Sequence, residues 1–443
     1  MKIQLSDHFT YGKLIRFMMP SIIMMVFTSI YGVVDGIFVS NFAGKTPFAA
    51  INLIMPYLML FGGVGFMLGT GGTALISKTL GMGQPEKANA IFSMLTYLCI
   101  GLGLAVTVVA MVLLRPASVL LGAEGEMLRD CMTYGLIVLP ATTAYVLQYA
   151  FQSYCVAAEK PNLSLVMMVV AGVCNIALDA LFVAVFRWGL VGAAVATATA
   201  QIIGAIIPIL YFARPNSSLL RLGKCRFDGH AFLRTCTNGA SELMSNLSMS
   251  IVGMLYNVQL MQYAGEDGVA AYGVIMYLNF VFMAVFIGIA IGTAPLIGFN
   301  HGADNRLELK NLFRKSLVIL LVVSLAMAGL AVAFARPLSA IFVGYDQTLL
   351  DMTVRGLVIY ALSFLLSGFN MFGSSLFTAL NNGLISAVIS FVRTLVCQIA
   401  AVMLLPLVWQ LDGIWVSVVV AELAALVLTA VFTAKFRKRY HYA

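Results

Sequence analysis

Residues 20–41 read PSIIMMVFTSIYGVVDGIFVSN, an apolar stretch that begins with Pro20 and carries one acidic residue, Asp35. About twenty residues in a helix span the hydrocarbon core of a bilayer. An ionised carboxylate within that core costs roughly 3 kcal/mol on insertion scales, so intramembrane aspartates are rare and usually functional. The stretch therefore predicts a transmembrane helix that carries a functional carboxylate.

Apolar stretches of this length recur along all 443 residues, of which 61% are hydrophobic and 10% charged. A soluble protein carries about a quarter charged residues. A β-barrel is excluded because its strands would alternate between apolar and polar residues. The pattern predicts an all-α polytopic membrane protein with twelve transmembrane helices, at 14–40, 47–77, 88–114, 129–155, 161–186, 189–212, 235–263, 270–300, 312–334, 350–380, 383–408 and 412–434.

The net charge of +8 follows the membrane topology. Nineteen lysines and arginines fall in one set of connecting segments and termini, and six fall in the opposite set. By the positive-inside rule, this bias predicts a multi-pass protein of the plasma (inner) membrane with both termini in the cytoplasm. The basic surplus is thereby explained, and we expect no nucleic-acid partner.

The motifs of enzymes and pumps are missing from this sequence. Its seven cysteines include no CxxC pair, and we expect neither a metal site nor another cofactor. No GxxxxGK[ST] loop is present to hold a nucleotide, and no HExxH or GxSxG motif suggests a hydrolase. We therefore expect a protein that is not an enzyme and is not driven by its own ATP hydrolysis.

The two halves of the chain resemble each other at an offset of about 220 residues. The triplet Gly72–Ala74 recurs as Gly292–Ala294, and the pair Arg115–Pro116 recurs as Arg336–Pro337. Because each half has six helices, both halves begin on the same side and are related by a pseudo-two-fold along the membrane normal, as in many secondary transporters. The expected division is an N-lobe at 1–213, a cytoplasmic linker at 214–233 and a C-lobe at 234–443.

Two carboxylates are expected at matching depth in the first half. Asp35 and Asp179 each lie close to the outer end of their helix, and Tyr31 and Asn175 precede them by four residues. Residues four apart share a helix face, so the four side chains can form one polar site. A pair of carboxylates in apolar surroundings can hold a proton near neutral pH. The alternative is two acids that only snorkel to the membrane surface or form hydrogen bonds between helices.

Several segments together resemble the multidrug and toxic compound extrusion (MATE) family of transporters. They are P20 with Y31GVVDGIFV39, GTALISKTLGMGQPEKA at 72–88, N175IALD179 and G189LVGAAVAT197. The acidic residues of the first half resemble those of the prokaryotic DNA-damage-inducible F-type branch. That resemblance implies a hinge at Pro20 and a proton- or cation-coupling site formed by Asp35, Asp179, Asn175, Tyr31 and Thr197.

The second half offers three further candidates, Glu242, Arg393 and Glu422. The sodium-linked branch of the family places carboxylates on helices 7 and 10. Here helix 7 carries Glu242, whereas helix 10 has no acid beyond Asp351 at its mouth, which departs from that pattern. Since an arginine within the membrane must pair or line water, Arg393 either forms a salt bridge with Glu422 or meets an anionic group on a substrate.

We therefore expect a cation-coupled antiporter, with H⁺ as the coupling ion, that exports amphipathic organic cations by alternating access. Na⁺ bound at Asp35 and Asp179 is the alternative coupling ion. A flippase for a lipid-linked precursor, from the same wider superfamily, is the alternative function. Its pyrophosphate would require a cationic cavity, but acids outnumber Arg393 within the spans. We expect a monomer whose partners are the bilayer and a small-molecule substrate.

Overall fold

The computed structural model describes residues 3–39, 42 and 45–442, without the side chains of residues 37, 45 and 48. The last two residues of the stretch quoted above, 40 and 41, lie outside these ranges. Helices make up almost all of the described chain, which contains no strand. The long helices are α1 Tyr11–Phe38, α2 Lys45–Gly81, α3 Pro85–Leu120, α4 Gly125–Ala157, α5 Pro161–Val185, α6 Gly189–Ala213, α7 229–264, α8 266–302, α9 Arg306–Ala333, α10 Gln347–Ala361 with Phe364–Ala379, α11 Gly383–Leu404 and α12 Pro406–Tyr440.

Two of these assignments depend on breaks in the helical backbone. The run Gly229–Gly302 is divided by Gly265, whose φ of 62° and ψ of −152° are not helical and suit glycine. The two parts of α10 meet at an angle of 47° and together form one span. The described chain thus contains the twelve predicted spans, and the predicted fold class is confirmed.

The predicted boundaries differ from the observed ones mainly where helices extend into polar sequence. The seventh helix begins at Gly229 instead of residue 235, with the side chain of Asp228 accepting hydrogen bonds from His230 N and Ala231 N. The twelfth extends to Tyr440 instead of residue 434. Hydropathy marks the part of a helix that lies in hydrocarbon, whereas capping and backbone hydrogen bonds decide where the helix ends.

The lobes α1–α6 and α7–α12 meet in backbone contact at the end of the bundle where α1 begins and α12 ends, called the terminal end below. A Cβ atom added at Gly71 would collide with the carbonyl oxygen of Thr235, and one added at Gly239 would collide with that of Met67. The glycine seam consists of the four such glycines between α2 and the α7–α8 pair, namely Gly71, Gly81, Gly239 and Gly302.

A methyl group in the glycine seam should therefore disrupt the contact between the lobes. We expect Gly239→Ala to lower the free energy of unfolding by about 1–3 kcal/mol, the usual cost of overpacking, because the clashing atom belongs to the backbone. Fluorescence-detected thermal unfolding in detergent would measure the loss. Gly253→Ala is the matched control, since nothing lies within 4 Å of a Cβ atom at that position of the same helix. Equal stability of the two variants would contradict the interpretation.

An N-terminal segment, residues 3–10, crosses the terminal end and connects the lobes. The backbone N–H of Leu5 donates to Glu159 Oε1 of the first lobe at 2.7 Å. The backbone N–H of Phe9 donates to Glu308 Oε1 of the second lobe at 3.0 Å, and Lys315 Nζ donates to the Phe9 carbonyl at 2.5 Å. Leu5 and Phe9 are fully buried. The segment is thus an ordered part of the closed terminal end.

Candidate functional site

The site begins with a close approach of α1 and α5 at Gly172. A Cβ atom at this position would lie 2.5 Å from the Phe27 ring and 3.2 Å from the Tyr31 ring. A larger residue at position 172 would therefore require the rings of Phe27 and Tyr31 to shift. The approach brings the face of α1 that carries Tyr31 and Asp35 next to the residues that follow Gly172 on α5.

The carboxyl groups of Asp35 and Asp179 lie within hydrogen-bonding reach of each other. Asp179 is fully buried. Among the described residues, no donor reaches either oxygen of Asp179 or Oδ1 of Asp35. Two ionised carboxylates in this position would repel each other in a medium that cannot solvate them, whereas one shared proton turns the contact into a hydrogen bond. The pair is thus a chemically suitable place to hold a proton.

The other predicted coupling residues belong to the same cluster. Asn175 is 2% exposed and lies one helical turn before Asp179. Thr197 of α6 lies against the hydroxyl of Tyr134, which is close to both carboxyl groups. The structure therefore brings Asp35, Asp179, Asn175, Tyr31 and Thr197 together, while their roles in coupling stay a prediction.

Three tyrosines of α4 complete the surroundings of the carboxyl pair, and the sequence analysis missed them. Tyr134 is buried beside the pair. Tyr145 donates to Tyr149 at 3.2 Å between the hydroxyl oxygens, and both rings lie close to Tyr31. Phenol groups can donate to a carboxylate that has lost its proton. The sequence pattern that could have indicated them is the spacing of Tyr145 and Tyr149, four residues apart in an apolar span.

A π-helix follows directly after Asp179, at Ala180–Val185, and another includes Arg393, at Val392–Cys397. A π-helical turn widens the helix by one residue and often occurs at functional sites. Each lobe thus has an irregular turn beside its buried charge. Nothing in the sequences of these two segments distinguishes them from regular helix.

Pro20 lies inside an unbroken α1. Its missing N–H removes one hydrogen bond from the helix. The same part of α1 packs closely on α8, where a Cβ atom at Gly288 would collide with the backbone of Ile22 and one at Gly292 would touch Met18. The hinge role of Pro20 stays a prediction.

In the second lobe, Arg393 and Glu422 form an ion pair. Arg393 Nε donates to Glu422 Oε1 at 2.9 Å and to Oε2 at 3.0 Å, and Nη2 lies 2.9 Å from Oε1. Asn370 Nδ2 donates to Glu422 Oε2 at 2.7 Å and Thr429 Oγ1 donates to Asn370 Oδ1 at 3.1 Å. Of the two interpretations given for Arg393, the geometry shows the salt bridge.

Glu242 of α7 does not join this ion pair or the carboxyl pair of the first lobe. It is partly exposed and close enough to Arg393 for their charges to interact. Its neighbours Leu243 and Asn246 pack against Gly63 of α2. Glu242 therefore lies where the two lobes meet.

Two six-helix lobes with buried charges in each define the class of this protein, which is that of a membrane transporter. A family model described as MatE matches the chain twice, at residues 20–181 and 243–404. The chain belongs to this family. The two matches begin 223 residues apart, close to the offset of the repeat. The exact lobe and linker boundaries stay a prediction.

The relatives are transporters and not enzymes. The multidrug export protein MepA of Staphylococcus aureus (strain MRSA252) is 24% identical over 414 residues, which cover 93% of this chain and 91% of MepA. An outward-facing multidrug resistance MATE family transporter of the MOP superfamily is 22% identical, with a TM-score of 0.92 and 98% of each chain covered. A MOP superfamily transporter from Pyrococcus furiosus, described as having a binding pocket of reverse polarity that suggests a different function, is 22% identical, with a TM-score of 0.91 and coverage of 98% and 97%.

Proposed function

We propose that this protein is a multidrug efflux antiporter that exports amphipathic organic cations in exchange for protons. Membership of the MatE family and the similarity to MepA support export of drugs. The observation that carries the coupling proposal is the buried contact between Asp35 and Asp179, in which no described donor reaches either oxygen of Asp179 or Oδ1 of Asp35.

Competition for the carboxyl pair is sufficient for exchange. When ionised, Asp35 and Asp179 attract an organic cation, and a proton arriving from outside removes that attraction and releases the cation. The lobes then rock and the proton leaves on the other side. Coupling requires only that proton and substrate bind the two conformations with different affinities. The tyrosine hydroxyls around the pair are placed to exchange partners as the proton comes and goes.

The contact between the carboxyl groups favours a proton over Na⁺. A single shared proton turns the contact between Asp35 and Asp179 into a hydrogen bond and needs no further partner. A sodium ion would need additional oxygen ligands besides the two carboxyl groups. We therefore place H⁺ first and keep Na⁺ as the alternative to be tested.

The charges of this chain favour a drug exporter over a lipid-precursor flippase. The Pyrococcus furiosus transporter indicates that this fold is compatible with different pocket polarities, so the fold alone does not decide. Here Arg393 is neutralised by Glu422. Asp35 and Asp179 form no ion pair with any described residue. The unpaired charge is negative and suits a cation better than a pyrophosphate.

Everted membrane vesicles that contain the protein test this proposal directly. By the positive-inside rule we expect the terminal end, with its basic residues, to lie in the cytoplasm, so everted vesicles should accumulate a cationic dye when their lumen is acidified. An imposed pH gradient is expected to drive this uptake, and a sodium gradient at equal pH is not. Uptake driven by sodium alone would overturn proton coupling, and no uptake of any cationic dye would overturn drug export.

A further inference from the structure

The linker between α6 and α7 is fixed to the side of α3 by hydrogen bonds. The backbone N–H of Arg221 donates to Asn89 Oδ1 at 2.8 Å, and that of Gly223 donates to Ser93 Oγ at 3.0 Å. The hydroxyl of Tyr97 donates to the Gly223 carbonyl at 3.2 Å. Since three successive turns of α3 contribute, the linker is a fixed part of the terminal end.

A pocket of about 530 Å³ lies between this linker and the start of α3. Lys87 comes from the first turn of α3 and Arg226 from the linker, and neither forms an ion pair with a described residue. The acid in the lining is Asp228, whose Oδ1 already accepts the backbone N–H groups of His230 and Ala231. The pocket thus presents two unpaired cations. Glu86, on the same turn as Lys87, is exposed and does not line the pocket.

The aromatic side chain that lines the pocket faces outwards. Phe227 is 65% exposed. Further along α3, Tyr97 and Leu104 are 48% and 56% exposed, as expected for a helix that faces lipid. Cations and an exposed aromatic ring at the end of a lipid-facing helix are typical of the headgroup level of a bilayer.

We propose that this pocket binds the phosphate group of an anionic phospholipid. Lys87 and Arg226 would contact the phosphate, and the acyl chains would lie along α3 over Tyr97 and Leu104. Basic pockets between helices on the cytoplasmic side bind anionic headgroups in this way. The apolar path along α3 favours a lipid over a free phosphate ion. The bound lipid would connect α3 of the first lobe to the linker that leads into the second.

Native mass spectrometry of the purified full-length protein tests the proposal. The wild type should retain a phosphatidylglycerol molecule under conditions that remove phosphatidylcholine. The double variant Lys87→Gln/Arg226→Gln should retain it roughly thirtyfold more weakly, given the usual contribution of two basic residues near an anionic surface. The matched control is Arg437→Gln/Lys438→Gln, which removes the same charge from the end of α12 at the same side of the bundle.

The outcomes separate the possible causes. Retention by the control together with loss in the double variant supports the pocket. If both double variants lose phosphatidylglycerol equally, the proposed pocket is overturned in favour of general charge attraction. If both retain it equally, the lipid does not bind at Lys87 and Arg226 and the proposal is overturned. Inorganic phosphate is added as a competitor, and displacement of the lipid by millimolar phosphate would overturn the lipid in favour of a free anion. Thermal unfolding of each variant shows that it is folded.

Discussion

Asp35→Asn is expected to reduce pH-driven dye uptake by everted vesicles to the rate of vesicles that lack the protein. Asparagine keeps the shape of the side chain but cannot exchange a proton with Asp179. The proton then no longer binds the two conformations of the transporter with different affinities. It therefore cannot shift the equilibrium between them, and the pH gradient no longer drives transport. Initial uptake rates at a fixed imposed gradient measure the effect.

Two further variants define what the Asp35 result means. Asp179→Asn should cause the same loss, because the proposed exchange requires both carboxyl groups, which lie in contact. Asp267→Asn is the control, since this aspartate is exposed near the bend between α7 and α8. Wild-type rates in Asp35→Asn, with protein levels matched by immunoblot, would remove this residue from the mechanism.

Arg393→Met is expected to lower the free energy of unfolding by about 3–5 kcal/mol, because it leaves the buried charge of Glu422 without its cation. The double variant Arg393→Met/Glu422→Leu removes both charges and should recover most of that loss. Such replacements of a whole buried pair by apolar residues are often neutral or stabilising. Unfolding in detergent, followed by tryptophan fluorescence, compares the three proteins.

Arg355→Met provides the matched control for this pair. Arg355 and Asp412 also form an ion pair, but their side chains are 68% and 38% exposed. Exposed pairs contribute about 0–1 kcal/mol, so the control should stay close to the wild type. If Arg393→Met is no less stable than Arg355→Met, the buried pair does not stabilise the second lobe.

The sequence predicts the features that depend on the bilayer as a solvent. Twelve helices follow from stretches long enough to cross hydrocarbon, and Asp35 and Asp179 stand out because a charge there is costly. The same cost requires a partner for Arg393, and the structure shows Glu422 in that place. These predictions need only the solvent and the chemistry of each side chain.

Features that depend on contacts between helices could not be predicted in this way. Gly172 resembles any other glycine in an apolar span until Phe27 and Tyr31 are seen against it. Tyr134 gains its importance from the two carboxyl groups beside it, which lie on other helices. Asn370 likewise supports Glu422 across 52 residues of sequence. Each requires knowledge of which helix faces meet.

The N-terminal segment also has a consequence for biogenesis. The partners of Phe9 lie 299 and 306 residues further along the chain, so they do not exist when the segment leaves the ribosome. At about 5–20 residues per second, at least about 15 seconds of synthesis separate the segment from its docking site. Phe9 cannot reach its partners in the second lobe during that interval. Burial of Phe9 against Glu308 and Lys315 therefore marks a chain whose second lobe has already been made.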